Sequence, residues 1–173
     1  MTVNPSNQPS VLSLWNRFGG SGVGRWVFSR LICLRAPYFG SIAPRFEALA
    51  PWSATVRLRK RRAVQNHLGT VHAIAMANAF ELAAGVMMEA SCPPSMRWIP
   101  RGMDIEYVKK ATTSLQVTAV ADGLQGDGKQ DVPVRCEARD AAGELVCRAT
   151  IRMYVSPGSE GRHEKAPLRR PLR

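Results

Sequence analysis

The stretch that most constrains this 173-residue chain is Ala73 to Ala90, AIAMANAFELAAGVMMEA. It is almost wholly Ala, Met, Leu, Val and Phe, and its only polar side chains are Asn78, Glu81 and Glu89. These are helix formers, with few β-branched residues among them. A helix that is apolar on nearly every face belongs inside a domain, so the rest of the chain must wrap it. The run falls short of the roughly 20 apolar residues that span a bilayer, and no transmembrane segment is expected. Cys92-Pro93-Pro94 ends it, because proline cannot continue a helix.

The wrapping is legible as strands. Residues 42–50 and 53–60 read as two strands around a Pro51-Trp52 turn, with Ala54, Val56 and Leu58 facing one way and Thr55, Arg57 and Arg59 the other. Further strands are expected near 97–108, 114–121, 131–139 and 145–155. In the last two, Val132, Val134, Cys136 and Ala138 and then Cys147, Ala149, Ile151 and Met153 alternate with polar residues. Asp140-Ala141-Ala142-Gly143 between them reads as a hairpin turn, with Gly143 free to take positive φ. Half-polar alternation implies an antiparallel sheet with one face on a core. The predicted order is β-β-α-β-β-β-β: an α+β domain in which a six-stranded antiparallel sheet wraps one long central helix.

Residues 1–10 are polar and expected to be mobile. Residues 11–35 mix Trp15, Phe18, Trp26, Phe28, Leu31 and Ile32 with spaced arginines. Glycines 19, 20, 22 and 24 should break them into two short helices that pack on the domain or lie on a membrane interface. After Ser156-Pro157-Gly158 the chain is basic and poor in apolar residues, and is expected to be disordered. The domain reading is therefore an N-terminal extension at 1–35, the main domain at 36–156 and a basic tail at 157–173.

Net charge is +11, which favours polyanionic partners. One cluster is Arg57, Arg59, Lys60, Arg61 and Arg62, and the tail supplies another. No aromatic-basic interleaving, helix-turn-helix spacing or zinc pattern supports specific nucleic-acid binding. Cys33, Cys92, Cys136 and Cys147 show no Cys-x-x-Cys spacing, so free thiols in a reducing cytoplasm are expected and neither a metal nor a resident cofactor is.

Chemistry concentrates in residues 66–81. The loop Asn66 to His72, with Gly69 inside it, delivers the backbone to the start of the apolar helix, whose first amides have no intrahelical partner. The amides of Ala73 and Ile74 are candidate donors to an oxyanion. Glu81 sits among Phe80, Leu82, Ala83 and Ala84. A carboxylate buried in such surroundings holds a proton more tightly and suits a general base or nucleophile, or else a polar contact at a dimer seam. Asn78, three residues earlier, shares its face and either orients the carboxylate or bonds across that seam. His72 and Glu81 are nine residues apart, which on a helix is about 13–14 Å and about half a turn. They cannot meet at one carbon within one subunit. A two-fold dimer must bring Glu81 of one chain to the helix start of the other if both serve one reaction.

The run Asn66-His67-Leu68-Gly69-Thr70-Val71-His72, with Glu81 nine positions on, resembles the hotdog-fold thioesterases of the phenylacetate-pathway (PaaI-like) type. The flanking text is closer still to an uncharacterised bacterial hotdog family. The similarity runs through Ala36-Pro37-Tyr38-Phe39, residues 66–85, Trp98-Ile99-Pro100-Arg101-Gly102-Met103 and Tyr107-Val108-Lys109-Lys110-Ala111, and it covers about residues 36 to 155. The resemblance implies a homodimer whose two sheets join into one, with two sites at the interface; the sequence does not decide between a dimer and a tetramer of paired dimers. It implies a catalytic acid at Glu81 and places Asn66 and His72 near a thioester carbonyl. PaaI-like enzymes carry His-Gly-Gly where this chain has His72-Ala73-Ile74, and more often Asp than Glu as the acid. Coenzyme A bears three phosphates, for which Arg57, Arg59, Arg61, Arg62, Lys109 and Lys110 are candidate anchors.

Two functions compete. One is hydrolysis of an acyl-coenzyme A thioester. The other is binding of acyl-coenzyme A without cleavage, which the side chains at Ala73 and Ile74 favour by narrowing the helix start. A hotdog dehydratase would need a His-Phe-Pro-Gly-like loop well before the acid, and this chain has none.

Overall fold

The computed structural model describes residues 10–158. The expectations for the first nine residues and for the basic tail from residue 159 lie outside the described residues. The elements are helices α1 (Ser10–Phe18) and α2 (Gly22–Arg35), a 3₁₀ segment Pro37–Ile42, strands β1 (Arg45–Ala50) and β2 (Ser53–Leu58), helix α3 (Ala73–Ser91), and strands β3 (Met96–Tyr107), β4 (Leu115–Val120), β5 (Gln130–Arg139) and β6 (Leu145–Pro157). The six strands form one antiparallel sheet in the order β1-β2-β4-β5-β6-β3. The α+β hotdog architecture that the resemblance implies is the one observed.

The expected central helix, Ala73 to Ala90, is α3 with one residue added, and Phe80, Leu82, Ala83, Ala84, Met87 and Met88 are fully buried in it. By length and composition α3 could also cross a bilayer, but 67% of its most apolar 18-residue window is buried inside the protein, as a core helix requires. The strands alternate as read: Val56 pairs with Val117, Val117 with Ala138 and Ala138 with Cys147, all fully buried. Gly143 takes φ +80° in the β5–β6 turn, where its N–H donates to the Asp140 carbonyl at 3.0 Å.

Strand β1 starts later than expected, at Arg45, because residues 37–42 wind into the 3₁₀ segment. Strand β2 ends early, at Leu58; the Lys60 N–H donates to Ser114 Oγ at 3.0 Å instead of continuing the ladder.

The N-terminal extension forms the two expected helices, but Gly22 and Gly24 lie inside α2 and do not break it. The break is at Gly19–Ser21, where Ser21 Oγ accepts the Gly24 N–H at 3.0 Å and caps a 14-residue helix. A Cβ at Gly24 would stand 1.9 Å from the Phe18 carbonyl oxygen, so the close approach of α1 to α2 demands glycine there. Both helices join the core. Phe28 is fully buried between Trp15 and Phe46, edge-on to each, at centroid distances of 5.1 and 5.2 Å.

That aromatic trio holds the extension on β1. Phe28→Ala should remove about 3–5 kcal/mol of stability through the cavity it leaves. The check is the chemical-denaturation midpoint; an unchanged midpoint would mean α2 does not dock as described.

Candidate active site

The loop before α3 is built by Asn66. Its Oδ1 accepts the N–H groups of Leu68 at 3.0 Å and Thr70 at 3.2 Å, and its Nδ2 donates to Thr70 Oγ1 at 2.9 Å. The side chain is thereby engaged within its own turn. Gly69 sits at φ +72° and closes the turn with its N–H on the Asn66 carbonyl at 3.0 Å. Beyond it, the Val71 N–H donates to the Ala111 carbonyl at 2.9 Å and the His72 N–H to the Val64 carbonyl at 2.8 Å, which fixes where α3 begins.

His72 is the N-cap of α3. Its Nδ1 accepts the Ile74 N–H at 3.0 Å. An accepting Nδ1 carries no proton, so the ring proton belongs on Nε2. This corrects one expectation, because the Ile74 amide already has a partner and is not a free oxyanion donor. The Ile74 side chain is exposed beside it, and the Tyr107 hydroxyl lies 3.5 Å from the Ala73 carbonyl oxygen.

Glu81 is the second correction. The sheet does not cover the α3 face that carries Glu81, Gly85 and Glu89, and the Glu81 side chain is exposed in the single chain where burial was expected. It lines an apolar cleft of about 380 Å³ with Ile32, Phe39, Leu82, Val86 and Trp98. The indole of Trp98 donates to Glu89 Oε2 at 3.3 Å and lies 3.4 Å from where a Cβ on Gly85 would stand. Asn78 is buried and donates to Ser41 Oγ at 3.3 Å, so its amide is turned toward the 3₁₀ segment and not toward the Glu81 carboxylate; its Oδ1 has no partner among the described residues.

The sequence-derived residues therefore occupy three recesses. Asn66 and Gly69 share one with Arg62, while His72, Ile74 and Asn78 share another with Tyr38 and Ser41. Glu81 lies in the cleft just described. Within one chain the helix start and the acid are kept apart, as their spacing along the helix requires.

The basic residues divide as well. Arg57 pairs with Glu47 at 3.6 Å, Arg61 donates to the Ser41 carbonyl at 2.7 Å, and Lys109 is held between Asp140 at 2.7 Å and Glu144. Arg59, Arg62 and Lys110 are exposed, and their side chains make no hydrogen bond or ion pair among the described residues.

The part of the cleft that the sequence reading missed is its wall from the extension. Val11 of α1 and Ile32 of α2 line it. Their apolar spacing was visible, but no pattern told which side of the central helix they would close. The four cysteines are buried and free. Burial pushes the Cys136 thiol up to about 12 and those of Cys92 and Cys147 up to about 11, so none is an activated nucleophile.

A long apolar helix wrapped by one six-stranded antiparallel sheet defines a hotdog fold. The chain belongs to the family described as Domain of unknown function (DUF4442), whose model matches residues 24–155. A structural-genomics crystal structure is similar at 44% identity and TM-score 0.75, over 86% of this chain and 99% of that one. A Pseudomonas aeruginosa protein of unknown function, described as a probable thioesterase, is similar at 20% identity and TM-score 0.69, over 75% and 93% of the two chains. A hypothetical thioesterase from Streptococcus pneumoniae, crystallised with coenzyme A, is similar at 15% identity and TM-score 0.61, over 72% and 97%. A search of curated proteins returns no match.

Two outcomes follow from this geometry. Gly69→Ala meets no steric neighbour, so its cost is the left-handed backbone alone, about 1–2 kcal/mol. It should show as faster hydrogen exchange of the Val71 and His72 amides. The thiols should resist alkylation at pH 8 in the folded protein and all react in denaturant. Because the folded thiols ionise above the unfolded value, stability should be full below about pH 8.5 and fall as pH rises toward 11–12. A pH titration of the denaturation midpoint checks the sign.

Proposed function

We propose that this protein hydrolyses an acyl-coenzyme A thioester at a site completed by a second copy of the chain. The observation that carries the reading is Glu81, a carboxylate without a hydrogen-bond or ion-pair partner among the described residues, standing in the wall of an apolar cleft. The same cleft takes in Trp98 and Pro100 of β3, the strand at the open edge of the sheet. Strand β3 is 12 residues long, paired on one side only, and carries exposed Ile99 and Tyr107. Such an edge is a template for pairing, and joining it to its own copy would close the cleft.

In this reading Glu81 accepts a proton from a water that attacks the thioester carbonyl. The oxyanion forms opposite the α3 start of the partner copy, where the Ala73 N–H remains as donor. Collapse breaks the C–S bond, and the thiolate of coenzyme A leaves and takes up a proton. His72 sets the first turn of α3 and Asn66 with Gly69 holds the loop, so both act by positioning. Arg59, Arg62 and Lys110, the uncommitted members of the two basic clusters, are the anchors for the coenzyme phosphates. The bound coenzyme A of the Streptococcus pneumoniae structure supports that ligand class, and the four free buried thiols suit a cytoplasmic location.

One observation favours binding without turnover: the Ile74 amide is capped by His72 and its side chain stands at the helix start. A panel of acyl-coenzyme A substrates from short-chain to aromatic, read by thiol release, separates the two. Hydrolysis predicts release, and Glu81→Gln should lower it at least about a hundredfold while the dimer stays folded. Tight calorimetric binding with no thiol released over hours would establish the binding module instead, and full activity of Glu81→Gln would remove the acid from the mechanism.

A further inference from the structure

A helix docked on a core normally turns polar residues outward. Helix α2 does not. Its inner face buries Phe28, Ile32 and Cys33, while its outer face exposes Val23 (75%), Trp26 (54%) and Leu34 (76%) at helical spacing, with Leu31 beside them and Tyr38 just beyond the helix end. An exposed apolar stripe of this kind marks an interaction surface.

The charge around the stripe selects the partner. Arg30 stands on the stripe itself; Arg17, Arg25 and Arg35 add to the positive charge of α1 and α2, with Arg25 turned to the Glu47 carbonyl and Arg35 in the cleft wall, and no acidic residue precedes Glu47. The Arg30 guanidinium lies 5.7 Å from the centre of the Trp26 ring. A two-fold contact of this face with its own copy would bring Arg30 of each copy into one apolar seam with no acid of the segment to pair it. A surface that is negatively charged and has an apolar interior satisfies both features. Tryptophan and leucine enter the acyl boundary while arginine heads stay at the phosphates.

We infer that the outer face of α2 is a docking surface for anionic lipid membranes. The opposite face of the same helix lines the cleft through Ile32, so the membrane surface and the cleft are served by one element. The inference goes beyond the thioesterase reading and does not depend on it, because its test involves no substrate.

The full chain should co-sediment with vesicles of phosphatidylglycerol and phosphatidylcholine, and at least tenfold less with phosphatidylcholine alone. Trp26→Ser/Leu34→Ser should lower partition into the anionic vesicles at least tenfold, with an unchanged far-ultraviolet spectrum and thermal midpoint. Brominated lipid should quench tryptophan fluorescence in the native protein and not in Trp26→Phe, since Trp15, Trp52 and Trp98 are less exposed. Three results would overturn the inference: no binding to anionic vesicles; binding that survives the double substitution, which assigns it to basic residues elsewhere; or an assembly of copies that the double substitution dissolves.

Discussion

Everything in this architecture answers to the desolvation of α3. Twelve of its nineteen residues are buried, and a helix with that much apolar surface cannot lie on a flat sheet with its back to water. The sheet curls round it, and the buried alanines at 79, 83, 84 and 90 let backbone approach backbone. What the sheet cannot reach is closed by α1 and α2, joined to the same core through Trp15, Phe28 and Ile32. The polar exceptions then have few places to go. Asn78 meets Ser41, while Glu81 and Glu89, eight residues apart with Gly85 midway, share the one stripe left open. The cleft is thus the remainder of the wrapping, and the acid stands in it because no covered position on α3 would accept a charge.

The two edges of the sheet are unequal. Strand β1 has its outer side tied to α2, with the Phe46 N–H donating to Ser29 Oγ at 2.9 Å and Arg25 reaching the Glu47 carbonyl at 3.4 Å. Strand β3 has no such cover within the described residues. Its one local irregularity is the register shift between Pro100 and Gly102, where the Arg101 guanidinium lies 3.6 Å over the Tyr154 ring. One edge closed and one open directs any sheet-to-sheet assembly to β3, the strand that contributes Trp98 and Pro100 to the cleft wall.

The helix and strands were legible because burial writes a period into sequence: all-apolar for α3, alternating for β2, β5 and β6. Element ends were less so. Strand β1 loses its first residues to a 3₁₀ turn, and β2 stops at Leu58, for reasons set by tertiary partners such as Ser114. Gly22 and Gly24 do not break the helix: Gly24 serves the close contact with Phe18 and donates to the serine cap, neither of which has a periodic signature, and Gly22 lies beside the Arg45 guanidinium. In the site, residue identity was readable but environment was not. Glu81 among apolar neighbours in sequence looks buried, yet along a helix adjacent residues point different ways, and its own direction is the uncovered one.

Charge completes the reasoning. Of the eleven acidic side chains among the described residues, eight pair with basic side chains, most of them on β3 to β6 and their turns: Asp104 with Arg152, Glu106 with Arg148, Asp131 with Arg101, Asp122 with Arg135 and Glu137 with Arg139 among them. These pairs are largely exposed and contribute little stability each. Their effect is to bring the solvent face of the sheet close to neutral. The surplus of +11 must then lie elsewhere, on α1, α2, the 57–62 segment and the tail. A net charge spread evenly would say only that the protein repels its copies. Segregated from a near-neutral sheet, its share on α1 and α2 lies on the helices that carry the exposed apolar stripe, and the proposed docking to an anionic surface rests on that coincidence.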